Sequence, residues 1–411
     1  MRQSPPPRTE ADWPALRALR HANFRIYGAG LAVSLIGTWM HSTAQSWLVY
    51  RLTHSNLLLG TTQFASTIPI LFLSPLAGLV ADRYSRRRII TITQTLFMLQ
   101  ATALSFLTLT GQVTVAHVLW LAAAFGLVNA FDIPSRQSLL PELVGRGDLM
   151  YAIALNSMAF QLARVFGPAL GGWTVSAWGE GICFAINAIS YLAVIGGLFL
   201  LRLPAAGAAP REASHWERLK EGFLHARHSR ELGSLLGVSA LVNISVSPIF
   251  VLGPEIADGI FRRGPQGFGL LTSCFGAGAV LGMLGLVSRS GDSGLRRLIF
   301  WNTLGAGLSF LAVAFVVAFL REFWMALTLM PILGFTYMRQ NAATNTSVQQ
   351  IVPDELRGRM MGIYTMTVAG MIPIGGLLSG WCAEVWGAPV TLLLGGAGNL
   401  AAAWWFGARH R

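Results

Sequence analysis

The amino-acid sequence predicts an all-α membrane protein of twelve transmembrane helices in two six-helix halves related by pseudo-two-fold symmetry. Three observations carry that expectation. Of 411 residues, 53% are hydrophobic and only 12% charged, about half the charge of a soluble domain of this size. Apolar runs long enough to cross a bilayer core of about 30 Å, roughly 20 residues each, recur twelve times. Short polar motifs at the end of the fourth run return at the end of the tenth.

In the first half the runs lie near 24–50, 57–81, 89–110, 114–134, 150–176 and 181–201. In the second they lie near 232–253, 266–288, 297–319, 323–346, 359–385 and 388–407. The expected organisation is therefore an N-terminal half over 1–203, a linker over 204–231 and a C-terminal half over 232–411. The linker opens with the flexible stretch between Pro204 and Pro210. From His215 to Arg227 it has the pattern of an amphipathic helix, with Trp216, Leu219, Phe223 and Leu224 on one face. Such a helix can lie in the membrane interface or serve as a solvated connector. The polar N-terminus lacks the apolar core of a signal peptide, so the first span is expected to act as an uncleaved insertion signal.

The repeat is specific in position. Asn129, Ala130, Ser135, Gln137, Pro141 and Glu142 are followed 212 residues later by Asn341, Ala342, Ser347, Gln349, Pro353 and Asp354. A parallel duplication of six-helix halves is a transporter plan with substrate bound between the halves. Basic residues orient it. Placing the N-terminus in the cytoplasm puts 24 of the 30 Lys and Arg residues on the cytoplasmic side and four on the other, so both termini are expected inside.

Other function classes are disfavoured. The net charge of +12 is spread between apolar spans rather than gathered in a basic domain. Anionic lipid is thus the expected partner and nucleic acid is not. Cys183, Cys274 and Cys382 lie far apart in apolar runs, which gives no disulfide, metal or cofactor framework. The one lysine, Lys220, precedes Glu221, so a Walker A lysine is missing and a primary pump is excluded. No HExxH, GxSxG or Cys/His cluster suggests an enzyme.

The stretch from Gly78 to Arg88 places five charges (Asp82, Arg83, Arg86, Arg87 and Arg88) in seven residues between the second and third spans. With Gly78, Asp82, Arg83, Arg87 and Arg88 in this spacing, it resembles the loop 2–3 signature of the major facilitator superfamily. Ser85 stands where that family usually has glycine, which suggests a stiffer turn. The second-half counterpart, near 285–297, is degenerate. In the fifth span, Ala163, Gly167, Pro168, Gly171 and Gly172 resemble the family's antiporter-associated motif, with alanine for its first glycine. The stretches 132–144, 154–157 and 353–359 are similar to the branch containing the enterobactin exporter and macrolide efflux proteins.

The resemblance implies the major facilitator fold and a multi-pass protein of the cytoplasmic (inner) membrane of a bacterium. It implies a monomeric, proton-driven secondary exporter of a small organic molecule, a siderophore or a drug, working by alternating access. A macrolide or multidrug pump and a non-transporting membrane receptor are the alternatives. The resemblance also implies that Asp82 contacts the N-terminal end of the eleventh span, near Arg357 and Arg359. A carboxylate there is stabilised by free N–H groups and the helix dipole. Arg83 and Arg86 are expected to pair with Asp132, so that Gly78, Asp82, Arg83, Arg86, Arg87 and Asp132 form a gating loop. This loop is expected to hold the halves together on the cytoplasmic side in the outward-facing state, although the arginines can also serve simply as topology determinants. Gly167, Pro168, Gly171 and Gly172 suit a close helix contact about which the halves rock, or plain packing.

Arg164 and Arg339 lie within spans, where an arginine commonly faces a cavity or a partner; snorkelling is the alternative. Gln45, Gln63, Asn129, Asn156, Gln161, Asn243 and Asn341 are further cavity candidates, with Trp39, Trp47 and Tyr364 as aromatic neighbours. Each of these can equally serve as interhelical glue. The carboxylates available for proton coupling are Asp132, Glu255, Asp258 and Glu384, and none of them sits at mid-membrane in the sequence.

Overall fold

A computed structural model describes residues 14–201, 229–287 and 292–409. Twelve long helices run through it: α1 (Ala22–Thr53), α2 (Asn56–Arg83), α3 (Arg86–Leu109), α4 (Val115–Gly145), α5 (Gly147–Trp178), α6 (Glu180–Leu200), α7 (Arg230–Val251), α8 (Gly264–Val287), α9 (Asp292–Phe315), α10 (Phe323–Ile351), α11 (354–386) and α12 (388–409). The candidate amphipathic helix between His215 and Arg227 lies outside the described residues. We call the end that carries the α2–α3 turn the arginine end and the opposite one the far end.

Spans in such a chain must be helical because every backbone polar group has to be satisfied without water. Among the described residues, nine helical segments are long and apolar enough to cross a membrane; one of them, Met360–Arg409, contains both α11 and α12. Missing from that set are α1 and α10. Both carry polar side chains along their length, including Ser42, Gln45 and Ser46 on α1 and Arg339, Gln340 and Asn341 on α10. Outside, the bundle is apolar: Phe72, Trp120 and Trp404 are 70%, 77% and 74% exposed. Such a surface is stable only against lipid.

The fourth span is longer than the expected 114–134. It continues through Pro134 and Pro141 to Gly145, which breaks the path at φ +72° before α5 starts. Proline does not end a membrane helix when neighbouring helices take up the freed carbonyls.

Duplication is visible in geometry at an offset of 208 residues. Trp173 and Trp178 meet edge to face at 5.0 Å, and Trp381 and Trp386 do so at 5.5 Å. The glycine after each second tryptophan turns the chain with positive φ, +82° at Gly179 and +81° at Gly387. A side chain is strained in this region, which favours glycine.

The halves meet along two equivalent seams. On one, α5 crosses α8: a Cβ added to Gly172 would lie 3.1 Å from the Cα of Gly269. On the other, α11 crosses α2: a Cβ added to Gly380 would lie 3.0 Å from the Cα of Gly60. Gly172 and Gly380 are again 208 residues apart. Small residues let two backbones approach this closely, and in lipid such packing replaces the hydrophobic drive. Both seams lie toward the far end.

Candidate functional site: a cavity between the halves

Between the halves lies a cavity of about 330 Å³. Trp39, Ser42 and Ser46 of α1, Gln63 of α2 and Phe160 and Arg164 of α5 line one side. Asn243 and Phe250 of α7, Thr272 of α8, Tyr337 of α10 and Gly376 of α11 line the other. Both halves thus contribute, as a site that alternates between two openings requires.

Arg164 is the formal charge in that lining among the described residues. Its guanidinium lies 5.8 Å from the Trp39 ring, 5.8 Å from Phe250 and 5.3 Å from Phe275. Three aromatic faces from α1, α7 and α8 thus surround a side chain from α5. Opposite it, Tyr337 donates to Asn243 Oδ1 at 2.9 Å, and Asn243 Nδ2 donates to Ser239 O at 2.8 Å. Asn243 Nδ2 also reaches Asn341 Oδ1 at 3.4 Å. This chain of bonds ties α7 to α10 and fixes that wall.

Of the residues expected in the cavity, Gln63, Arg164 and Asn243 line it, with Asn341 directly behind Asn243. The others lie elsewhere. Gln45 bonds to His41 at 3.3 Å, and His41 packs on Phe184 inside the N-terminal half. Asn156 borders a separate cavity beside Tyr27 and Gly28. Gln161 is buried with its Nε2 unpartnered, and Asn129 is half-buried on α4. Arg339 lies 5.4 Å from the Phe335 ring, away from the cavity wall. Sequence reasoning did not name Phe250, Phe275 or Tyr337. Aromatics in an apolar run carry no mark separating a cavity wall from a core.

The far end closes over the cavity. Glu384 of α11 accepts from Ser55 Oγ at 3.0 Å and from Leu57 N at 3.1 Å. It thereby caps the first turn of α2 across the boundary between the halves. A carboxylate on such free N–H groups is stabilised by the helix dipole. Beside it, in the turn between α7 and α8, Glu255 stands next to Asn56 of α2. Burial pushes the Glu255 carboxyl above its ordinary range, the Asn56 bond opposes that, and the Glu384 charge adds to it.

At the arginine end the expected pairing changes. Asp132 is 1% exposed and pairs with Arg136 at 2.5 Å, one turn along α4. It also accepts from Thr93 at 2.6 Å and Gln94 at 3.0 Å. These partners saturate it, so Arg83 and Arg86 do not reach it. Arg86 pairs instead with Glu142, farther down α4, and Arg83 is exposed. Arg87 donates to Phe199 O at 3.3 Å and to Leu201 O at 3.4 Å, at the end of α6. These bonds hold the loop to its own half. The turn is unstrained: Ser85 has φ −58°, which any residue adopts. Gly78 has open space where a Cβ would be. The expected contact between Asp82 and Arg357 or Arg359 lies outside the described side chains.

The motif of the fifth span serves two purposes. Gly167 and Gly171 seat α5 on Trp39 and Met40 of α1, within one half. Gly172 and the carbonyl of Pro168 face Gly269 across the seam.

The sequence profile of the family described as transmembrane secretion effectors matches residues 14–409. The staphyloferrin A transporter of Staphylococcus aureus (strain NCTC 8325 / PS 47) is 26% identical over 356 residues, covering 86% of this chain and 87% of that one. The multidrug efflux pump Tap of Mycolicibacterium fortuitum is 28% identical over 378 residues, covering 89% and 88%. The enterobactin exporter EntS of Shigella boydii serotype 4 (strain Sb227) is 25% identical over 368 residues, covering 88% and 85%. Among solved structures, the nucleoside transporter NupG superposes with a TM-score of 0.74 at 16% identity, covering 97% of this chain and 100% of that one.

Proposed function

We infer, from the fact that the chain belongs to the transmembrane secretion effector family of the major facilitator superfamily, that it exports a small organic molecule, a siderophore or a drug, by alternating access. The observation that carries this reading is the cavity. It is lined by both halves, and the paired glycine seams and the Glu384 cap close it at one end.

The arginine end is assigned to the cytoplasm, with both termini there, because 24 of 30 basic residues fall on that side. The arrangement described then receives cargo from inside. In the opposite state Asp82 would cap α11 at the arginine end, as Glu384 caps α2 here. A monomer in the cytoplasmic membrane suffices, with 204–231 linking the halves. Proton drive is part of the same proposal. Its carriers would be the far-end carboxylates Glu255 and Glu384, since the cavity lining holds no acid among the described residues.

Expression in a bacterial strain stripped of its own exporters tests the reading. The wild-type chain should lower intracellular siderophore or raise drug tolerance. Asp82→Asn, present in the membrane at the same level, should do neither. No change in either quantity with the wild-type chain would overturn the assignment.

A further inference from the structure

We propose that Arg164 makes the cavity selective for an organic anion carrying an aromatic or similarly flat apolar group. This rests on the transporter reading and narrows its cargo.

The argument begins with what surrounds the charge. A guanidinium inside a membrane span is costly unless it has a counter-charge, a hydrogen-bonding partner or access to water. In soluble and membrane proteins alike, a deep arginine is usually matched by a carboxylate. Among the described residues, Arg164 has no acidic group within salt-bridge distance; its contacts are the rings of Trp39, Phe250 and Phe275. Aromatic faces steady a cation by about 0.5–2 kcal/mol each, yet they accept no conventional hydrogen bond. The guanidinium therefore keeps its N–H groups for something else.

The rest of the lining agrees. Among the described residues no Asp or Glu stands in the wall, so no carboxylate there repels an anion. Gln63, Ser42 and Ser46 also line the cavity, and none of their side chains makes a hydrogen bond within the described residues. They can complete the shell of an anionic oxygen once Arg164 holds it. The same rings that confine Arg164 provide apolar faces for a flat group. Arg339, also within a span, lies against Phe335 outside the lining. Selectivity thus concentrates on one residue.

The test uses three probes with one ring system: 2-naphthalenesulfonate, 2-naphthyltrimethylammonium and 2-naphthalenemethanol. Their binding to the purified full chain is measured by quenching of tryptophan fluorescence, with Trp39→Phe as the control for site. The anion should bind the wild-type chain at least roughly tenfold tighter than the cation, the worth of one charge-assisted hydrogen bond. Arg164→Gln should remove that preference. Arg164→Lys should keep the anion ahead.

Equal binding of cation and anion to the wild-type chain overturns the proposal, whatever the variants do. So does an anion preference that survives Arg164→Gln. Transport by reconstituted protein separates the two readings. Arg164-dependent anion binding with no transport of any of the three probes would sustain the anion site and count against export. Transport of the cation in preference to the anion would sustain export and refute the anion site.

Discussion

Asp132 is buried and Arg164 half-buried within the N-terminal half, and their surroundings treat them in opposite ways. Asp132 is saturated by Arg136, Thr93 and Gln94; Arg164 meets only aromatic faces. The first arrangement is a structural lock. Removing one partner of a buried pair leaves the other charge uncompensated, which costs about 3–5 kcal/mol. Asp132→Asn should therefore lower the thermal midpoint of the detergent-solubilised protein by many degrees, and by more than Arg164→Gln, which gives up ring contacts but leaves no partner charge unpaired. Equal melting of the two variants would contradict this division. The signal for the Asp132–Arg136 pair is present in the sequence, since residues four apart share one helix face. Glu142 as the partner of Arg86 has no such signal, because the meeting of α3 with the extended α4 depends on two prolines that do not end the helix.

Residue scale also includes the far-end carboxylates. Glu255 has a raised pKa where it is buried, and opening of the far end would return it to water and its ordinary value. A proton thus favours the closed state. That contribution is fully present below the ordinary carboxylate range and is lost as pH rises through the raised value. Glu384 and Tyr50 are the titratable groups that interact with it, and Asp258 acts on the same Tyr50. Spin labels at Leu52 and Trp324 should report a shorter far-end distance at pH about 4 than at about 8, spanning the carboxylate range. Glu255→Gln should flatten the response. Glu384→Ala removes the cap on α2 and should shift the balance toward opening by about 0.5–2 kcal/mol, read from the same distance.

Among elements, the two seams decide whether the halves can touch. Gly60 faces Gly380 and Gly172 faces Gly269 with backbone against backbone. Gly380→Leu forces α11 off α2 without disturbing the core of either half. Export should fall by at least an order of magnitude while the membrane level stays constant; retained export would show that the seam need not close. The sequence displayed the glycines of α5 as a motif, yet it did not separate Gly167 and Gly171, which pack within the half, from Gly172, which packs across. That distinction depends on helix rotation, and a run of small residues presents small faces on several sides. Similarly, α1 and α10 are read as spans even though their polar content sets them apart from the others. The structure explains part of that content: Ser42, Ser46 and Tyr337 line the cavity.

At the scale of the whole molecule, the duplicated halves are visible in matched motifs at the ends of the fourth and tenth spans. The conformation was not, because one sequence must encode both openings. What selects between them is a handful of contacts that form at one end at a time: Glu384 on α2 at the far end, and the proposed Asp82 contact with α11 at the other. The most direct test of this account follows both ends at once by single-molecule energy transfer. One dye pair sits at Leu52 and Trp324, the other at Met150 and Ile351. The account predicts two states with opposed distances, so that lengthening at the far end accompanies shortening at the arginine end. Distances that change together, or a far-end pair that never lengthens under any pH or gradient, would contradict it.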